Sequence, residues 1–293
     1  AVELLEADDN SSNGFDLSDA DTIFISGNIN AEGGTRPEAI SFKSTHHSNN
    51  TQIFRTAMDI TRTARLTKYR TGEAYKELKR ETLEVHSCEL EDAFIWGKAT
   101  EVTGSNGQPE RTTQGIVDFI RTDAPTNVMD YKYDATYSTQ TWTTGGKTFM
   151  DNMFKTIFKY GKKERIGLIG NGALLGVQQM VEANTLYHIE GGTIGYGIEV
   201  LKLTTVFGKL NLILAPRFAI EDSMSHSMLV LDTSNLIYRY ITDTMFKEDK
   251  SEKEGGGTGV DGTREEFLTE CGLEMHHPEL FAYITGIGED NLV

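Results

Sequence analysis

Gln52-Ile53-Phe54-Arg55-Thr56-Ala57-Met58-Asp59-Ile60-Thr61-Arg62-Thr63-Ala64-Arg65-Leu66 runs through a short polar stretch into Gly72-Glu73-Ala74-Tyr75 and an uninterrupted segment ending at Trp96-Gly97. In the first part Phe54, Met58, Ile60, Ala64 and Leu66 hold even positions, while Arg55, Asp59, Thr61 and Arg65 hold odd ones. Only Thr56 and Arg62 break the alternation. A period of two predicts an extended ribbon with one covered face. After Thr71-Gly72 the period becomes helical. Tyr75, Leu78, Val85, His86, Leu90, Ala93 and Trp96 gather on one side, and Glu77, Arg80, Glu81, Glu84, Glu91 and Asp92 on the other. With no Pro or Gly between Gly72 and Gly97, this predicts a helix of about seven turns over 72–96. A long ribbon feeding a long amphipathic helix suits a subunit that reaches over its neighbours better than it suits an enzyme.

Composition sets outer bounds. The 293 residues are 38% hydrophobic and 25% charged, ordinary for a globular chain and ample for a core. No apolar run approaches 18 residues, so no membrane span is expected, and the start Ala1-Val2-Glu3-Leu4 has no signal-peptide pattern. Cys88 and Cys271 are too few for a disulfide framework or a cysteine zinc site, and read as two free buried thiols. The net charge of −16 argues against gripping nucleic acid, which needs Lys and Arg to displace counterions from phosphate. It is compatible with a container whose wall lets a packed polymer slide.

The charge is unevenly placed. Residues 1–40 hold nine acids, Asp8, Asp9 and Asp19 among them, against Arg36 alone; residues 51–80 hold eight bases, including Arg55, Arg62, Arg65, Lys68 and Arg70, against three acids. In a self-associating chain such segments can pair between subunits and fix register, so these eight residues are the candidate intersubunit contacts; a pair of unrelated solvated faces is the alternative. Exposed pairs of this kind contribute roughly 0–1 kcal/mol each, enough to steer assembly rather than hold it.

Several short pieces recur in a telling order: Asn49-Asn50-Thr51-Gln52-Ile53-Phe54, Glu73-Ala74-Tyr75, Cys88-Glu89-Leu90-Glu91-Asp92-Ala93-Phe94 and Arg111-Thr112-Thr113-Gln114-Gly115. Asn171-Gly172-Ala173, Phe207-Gly208, Val230-Leu231-Asp232 and His277-Pro278 follow, so the pattern spans about 45–287. The set resembles the major capsid proteins of tailed bacteriophages with the Hong-Kong-97-type fold, in the group typified by phage SU-ten. The resemblance implies an α+β fold with an N-terminal arm (1–37), an extended-loop hairpin (38–70), a peripheral domain carrying the long spine helix (71–124), an axial domain (125–225) and a return to the peripheral domain (226–293). It also implies hexamers and pentamers in an icosahedral head around double-stranded DNA, with portal, scaffolding and decoration proteins as further partners, no cofactor, and a location in the virion after assembly in the host bacterial cytoplasm. Such proteins usually carry a longer arm ahead of the pattern. Proteolytic maturation would explain both the short arm and the start at Ala1, and Met removal alone would explain the latter. Lys43 lies on the hairpin that carries a cross-linking Lys in the founding phage of the fold, but no matching acid and Asn can be placed, so that chemistry is not carried over.

Elsewhere the patterning predicts an Ala39–Ser44 strand turning near His46–Asn50, a strand-like Gly115–Ile120, helices over 147–160 and Ala173–Ala183, a Gly197–Val206 and Lys209–Ala215 hairpin, and strands at Arg165–Ile169, Met228–Asp232, Leu236–Ile241, Glu266–Glu274 and Leu280–Ile287. Phe246–Thr263 is charged and glycine-rich and reads as a loop. Without strict βαβ alternation the class is α+β.

The competing functional reading is Gly170-Asn171-Gly172-Ala173-Leu174-Leu175-Gly176 after the apolar Ile166–Ile169: a strand, a Gly-x-Gly turn and a helix, where a dinucleotide phosphate of an oxidoreductase could sit. The third glycine is one residue late for the dinucleotide fingerprint, and Glu190 sits in a poor context for the ribose. His46-His47 and His276-His277 read as polar turns rather than metal ligands, because adjacent histidines on a strand point apart. Glu89 lies on the apolar side of the helix and reads as a paired acid rather than a general base. No Gly-x-Ser-x-Gly elbow supports a serine hydrolase.

Overall fold

The computed structural model describes residues 27, 30–39, 41–69, 72–183, 188–194, 198–248 and 262–293. The alternation becomes strand β1 (Gln52–Thr61), with Phe54, Met58 and Ile60 buried and Arg55 and Asp59 exposed. It stops at Thr61, whose side-chain oxygen accepts from the Ala64 amide at 3.3 Å and caps the short helix α1 (Arg62–Leu66). Ala64 and Leu66 therefore leave the ribbon, and Leu66 is 71% exposed. Two-residue strands β2 (Lys68–Tyr69) and β3 (Gly72–Glu73) lead into helix α2 (Ala74–Trp96). Gly97 ends it: a Cβ there would lie 2.3 Å from the Ala93 carbonyl oxygen, so no larger residue fits the turn.

Strands β4 (Thr100–Thr103) and β5 (Pro109–Thr112) form a hairpin, followed by helix α3 (Ile116–Asp123) and strand β6 (Val128–Asp130). The expected strand at Gly115–Ile120 is thus a helix. Ile116, Val117, Phe119 and Ile120 are all buried, and an i, i+1, i+3, i+4 set lies on one helical face, whereas a strand would split it between two. Helix α4 (Trp142–Ile157), strand β7 (Glu164–Ile169) and helix α5 (Asn171–Ala183) come next. Strands β8 (His188–Ile194), β9 (Ile198–Thr204) and β10 (Lys209–Leu214), the single turn α6 (Asp222–Ser225), and strands β11 (Met228–Leu231), β12 (Leu236–Lys247), β13 (Gly262–Met275) and β14 (Ala282–Thr285) complete the order. Of the glycine-rich loop, 249–261 lies outside the described residues.

Two sheets organise the segment Ser48–Val293, which is one compact unit. The first has the order β1-β13-β12, antiparallel throughout, with Gln52 opposite Cys271 and Thr61 opposite Gly262. This corrects the expected hairpin over 38–70. The partner of β1 is a strand some 200 residues later, and the described part of 39–44 makes no strand, because β13 carries the alternating face that completes that of β1. The second sheet is mixed and seven-stranded, in the order β6-β14-β11-β7-β10-β9-β8. Its central strands are apolar on both sides. Met228 and Val230 of β11, with Ala282 and Ile284 of β14, join Phe149, Met150, Met153 and Phe154 of α4 and Val177 of α5 in one cluster. Leu229, Leu231 and Tyr283 face the opposite way and join Phe119 and Ile120 of α3, Ile95 of α2 and Phe218 in another.

Phe154 has no exposed surface in the first cluster. Phe154→Ala is expected to lower the unfolding free energy by about 3–5 kcal/mol in denaturant titration. Leu175→Ala, at a position 56% exposed on the adjacent helix, is expected to change it by no more than roughly 0.5 kcal/mol.

Candidate functional site

A surface that meets other copies must be held rigid from behind, and polar side chains at the base of α2 do this. Asn49 ties three segments together. Its amide nitrogen donates to the carbonyls of Gln114 (3.1 Å) and Leu273 (2.8 Å), and its Oδ1 accepts from the Gln114 amide (2.6 Å). Gln52 Oε1 accepts from the Thr113 amide at 3.1 Å, and the Gly115 amide donates to the Gly97 carbonyl at 2.8 Å. The motifs at 49–54 and 111–115 are therefore one spatial unit at the end of α2. Sequence spacing alone had left them as separate matches.

Midway along α2, His86 is fully buried between helix and sheet. Its Nδ1 lies 2.8 Å from Thr56 Oγ1 on β1, and its Nε2 lies 2.7 Å from Thr269 Oγ1 on β13. Thr56 donates its one hydroxyl proton to Glu89 Oε2 at 2.9 Å, and Thr269 lies 2.9 Å from Thr244 Oγ1 on β12. A carboxylate can only accept, so Thr56 must receive from His86 Nδ1–H. Nε2 of the neutral ring then accepts from Thr269, which accepts from Thr244. One directed chain thus fastens α2 to all three strands of its sheet. Glu89, read in the sequence as a paired acid, is its terminus.

The outward side of α2 is acidic. Arg80 reaches Glu77 at 2.7 Å and Glu84 at 3.3 Å, and Arg217 holds both carboxylate oxygens of Asp92. The helix faces depart from the sequence reading at Val85, which is 51% exposed; Thr82, polar and unremarked, is buried in its place. Cys271 is buried and Cys88 only half-buried. Burial pushes the Cys271 thiol up from its usual range.

The eight candidate contact residues have different fates. Asp8, Asp9, Asp19 and Arg70 lie outside the described residues. Arg55 is engaged within its own chain, donating to Glu266 Oε2 from Nε at 2.9 Å and from Nη2 at 2.5 Å. Arg62 and Arg65 are exposed on α1, with the Arg65 guanidinium carbon 5.1 Å from the Tyr75 ring centre; Lys68 lies on β2. The structure brings the bases 55–68 to one corner, but it spends Arg55 inside the fold.

The glycine turn has no room for a dinucleotide. A Cβ at Gly170 would lie 2.2 Å from the Ser225 carbonyl oxygen, at Gly172 2.8 Å from the His226 ring, and at Gly176 2.5 Å from Gly288 Cα. These glycines let α5 pack against the chain itself, so the space a pyrophosphate would need is filled. His276 Nε2 pairs with Glu274 Oε1 at 2.8 Å, and Arg239 above all, with His276, holds the Glu274 carboxyl below its usual range. The sequence reading had placed no acid beside that histidine pair, and Glu274, two residues away along β13, is there.

Compared with known proteins, residues 4–288 match the family described as SU10 major capsid protein. The chain belongs to that family. A major capsid protein of Pseudomonas phage PaMx41 is 28% identical over 287 residues, which cover 90% of this chain. The chain spans 65% of that relative's length, just under two thirds. Among solved structures, the holo-SrpI encapsulin complex from Synechococcus elongatus PCC 7942 superposes with a TM-score of 0.54 at 12% identity, over 82% of this chain and 74% of that one. The capsid structure of cyanophage P-SCSP1u gives 0.51 at 10% identity, over 89% and 80%. At such identities these speak for the fold alone, which is α+β of the Hong-Kong-97 type. Within this SU10-type fold α2 is the spine helix, and no described helix is long and apolar enough to cross a membrane.

Burial lowers the His86 pKa from its usual value, and the nearby Glu89 charge raises it only in part. The unfolded chain therefore takes up this proton more readily than the folded one. The contribution is whole above about pH 6.5 and is lost as pH falls below it. The thermal midpoint is expected to fall between about pH 7 and pH 5, with a smaller fall in His86→Gln, whose amide supplies one donor and one acceptor without titrating. Equal slopes for the two proteins would assign the acid sensitivity elsewhere.

Proposed function

We propose that this chain is the major capsid subunit of a tailed double-stranded DNA bacteriophage, without chemistry of its own. Its role is self-association into hexamers and pentamers that close an icosahedral head around the genome, so that it ends in the virion after assembly in the host cytoplasm. The family match across residues 4–288 carries the reading. The −16 net charge fits an inner wall that does not grip the packed polymer. Portal, scaffolding and decoration proteins are the further partners such a shell would take.

In this reading the seven-stranded sheet with α4 and α5 serves as the axial domain, α2 with its sheet as the peripheral domain, and residues 38–70 as the loop that overlaps a neighbour. Phe42 in that loop is 95% exposed, an apolar side chain whose cover lies with another molecule. The acidic arm, with Asp8, Asp9 and Asp19, meets bases of the 51–80 segment on an adjacent copy, Lys68 and Arg70 among them. Screening lengths near 8 Å at physiological salt, and shorter above it, make such contacts salt-sensitive.

Negative-stain electron microscopy and size exclusion of purified protein are expected to show shells, rings or tubes; a small oligomer under all conditions would refute the reading. Light scattering should show slower assembly as salt rises. Replacement of Asp8, Asp9 and Asp19 by Asn should flatten that dependence, and an unchanged salt profile would remove the arm from the contact.

A further inference from the structure

We infer that the outward ledge of α2 between Glu81 and Asp92 is the seat for the α1 corner of a second copy of this chain. Arg62 and Arg65 face its carboxylates, and Leu66 covers Val85. The inference rests on the shell reading above and names the partner of one of its surfaces.

The ledge is a shallow concavity of about 540 Å³ whose lining includes Glu81, Glu84, Val85, Cys88, Glu89 and Asp92. Val85 is 51% and the adjacent Leu83 40% exposed, on a helix side that is otherwise charged. From residue 81 to residue 92 there are five carboxylates and no base, and the bases that reach the stretch, Arg80 and Arg217, number two. The surface is therefore an apolar strip inside an anionic frame. Its complement is a short segment with an apolar residue between cations.

Residues 61–69 read Thr-Arg-Thr-Ala-Arg-Leu-Thr-Lys-Tyr: three bases, no acid, and Leu66 at 71% exposure. Within α1, Arg62, Arg65 and Leu66 fall at i, i+3 and i+4, on one face of the turn. The exposed side of the β1-β13-β12 sheet offers no such match. Its charges already pair across strands, Arg55 with Glu266, Arg264 with Asp59 and Arg239 with Glu274.

The two surfaces cannot meet within one molecule. The Arg65 guanidinium sits over Tyr75 in the first turn of α2, and Val85 is ten residues further on, about 15 Å along the axis. A corner at one end of the helix and a seat in its middle make a head-to-tail contact. Such heterologous contacts generate closed rings when the rotation between copies closes.

The test is a charge exchange in the full chain. Glu81→Arg with Glu84→Arg inverts the ledge, Arg62→Glu with Arg65→Glu inverts the corner, and a third protein carries all four changes. Circular dichroism and the thermal midpoint report folding; sedimentation velocity and electron microscopy report shells. Each two-site variant is expected to keep the fold and lose shells, and the four-site variant to regain them. Val85→Asp is expected to keep the fold and lose shells as well, which keeps the inference testable if a charge-inverted variant misfolds. Normal shells from the ledge variant or from Val85→Asp, or no recovery in the four-site variant, would overturn the seat. Failure of the unaltered protein to form shells would instead strike the shell reading itself.

Discussion

The pairing of β1 with β13 is the constraint on which the rest of this fold depends. Ten consecutive residues of β1 align with Gly262–Cys271, joining segments some 200 positions apart. Until that pairing exists α2 has no complete surface to lie on, because Thr56 and Thr269, the two threonines that hold the ring of His86, come from the two strands. The loop closed is long, and the entropy of closing it grows only as the logarithm of its length, so the cost falls more on folding rate than on stability. Asn49 lies just ahead of β1, where its side chain fastens the start of that strand to the Leu273 carbonyl on β13 and to the 113–115 turn.

How much of this was legible in the sequence follows from which physical signals are local. The alternation at Phe54–Ile60 is a local property of one strand and was read correctly, as was the long helix after Gly72. The partner of that strand is not local: an alternating face says that something covers it, not what. The Thr61 cap that converts Arg62–Leu66 into a helix was missed because Ala64 and Leu66 continued the even register by coincidence. The run Gly115–Ile120 was taken for a strand since a short apolar run fits both periods. The decisive sign, burial at 116, 117, 119 and 120 together, appears only in three dimensions.

The same reasoning explains the site. Val85 falls near the apolar side of an ideal wheel, yet the sheet beneath α2 is narrow, and the helix rests on Thr82 and His86 instead. Polar residues are poor signals of burial, so a threonine and a histidine forming the contact could not be recognised from hydropathy. The glycine turn at 170–176 was legible as a close approach, but not as an approach by the chain's own Ser225, His226 and Gly288. The capsid resemblance was legible because its motifs recur in order, and the clasp at Asn49 shows why two of them keep company.

The strands β11 and β14 have a thermodynamic consequence. Successive residues on each point alternately into the two apolar clusters, so neither cluster owns a strand that could detach while the other stays intact. Opening the layer of α4 and α5 strips one side of Met228–Leu231 and Ala282–Thr285 and leaves the other side without a flat backing. The two halves that a capsid would use in different places thus share one free-energy well, and they melt as a single cooperative unit rather than as a pair.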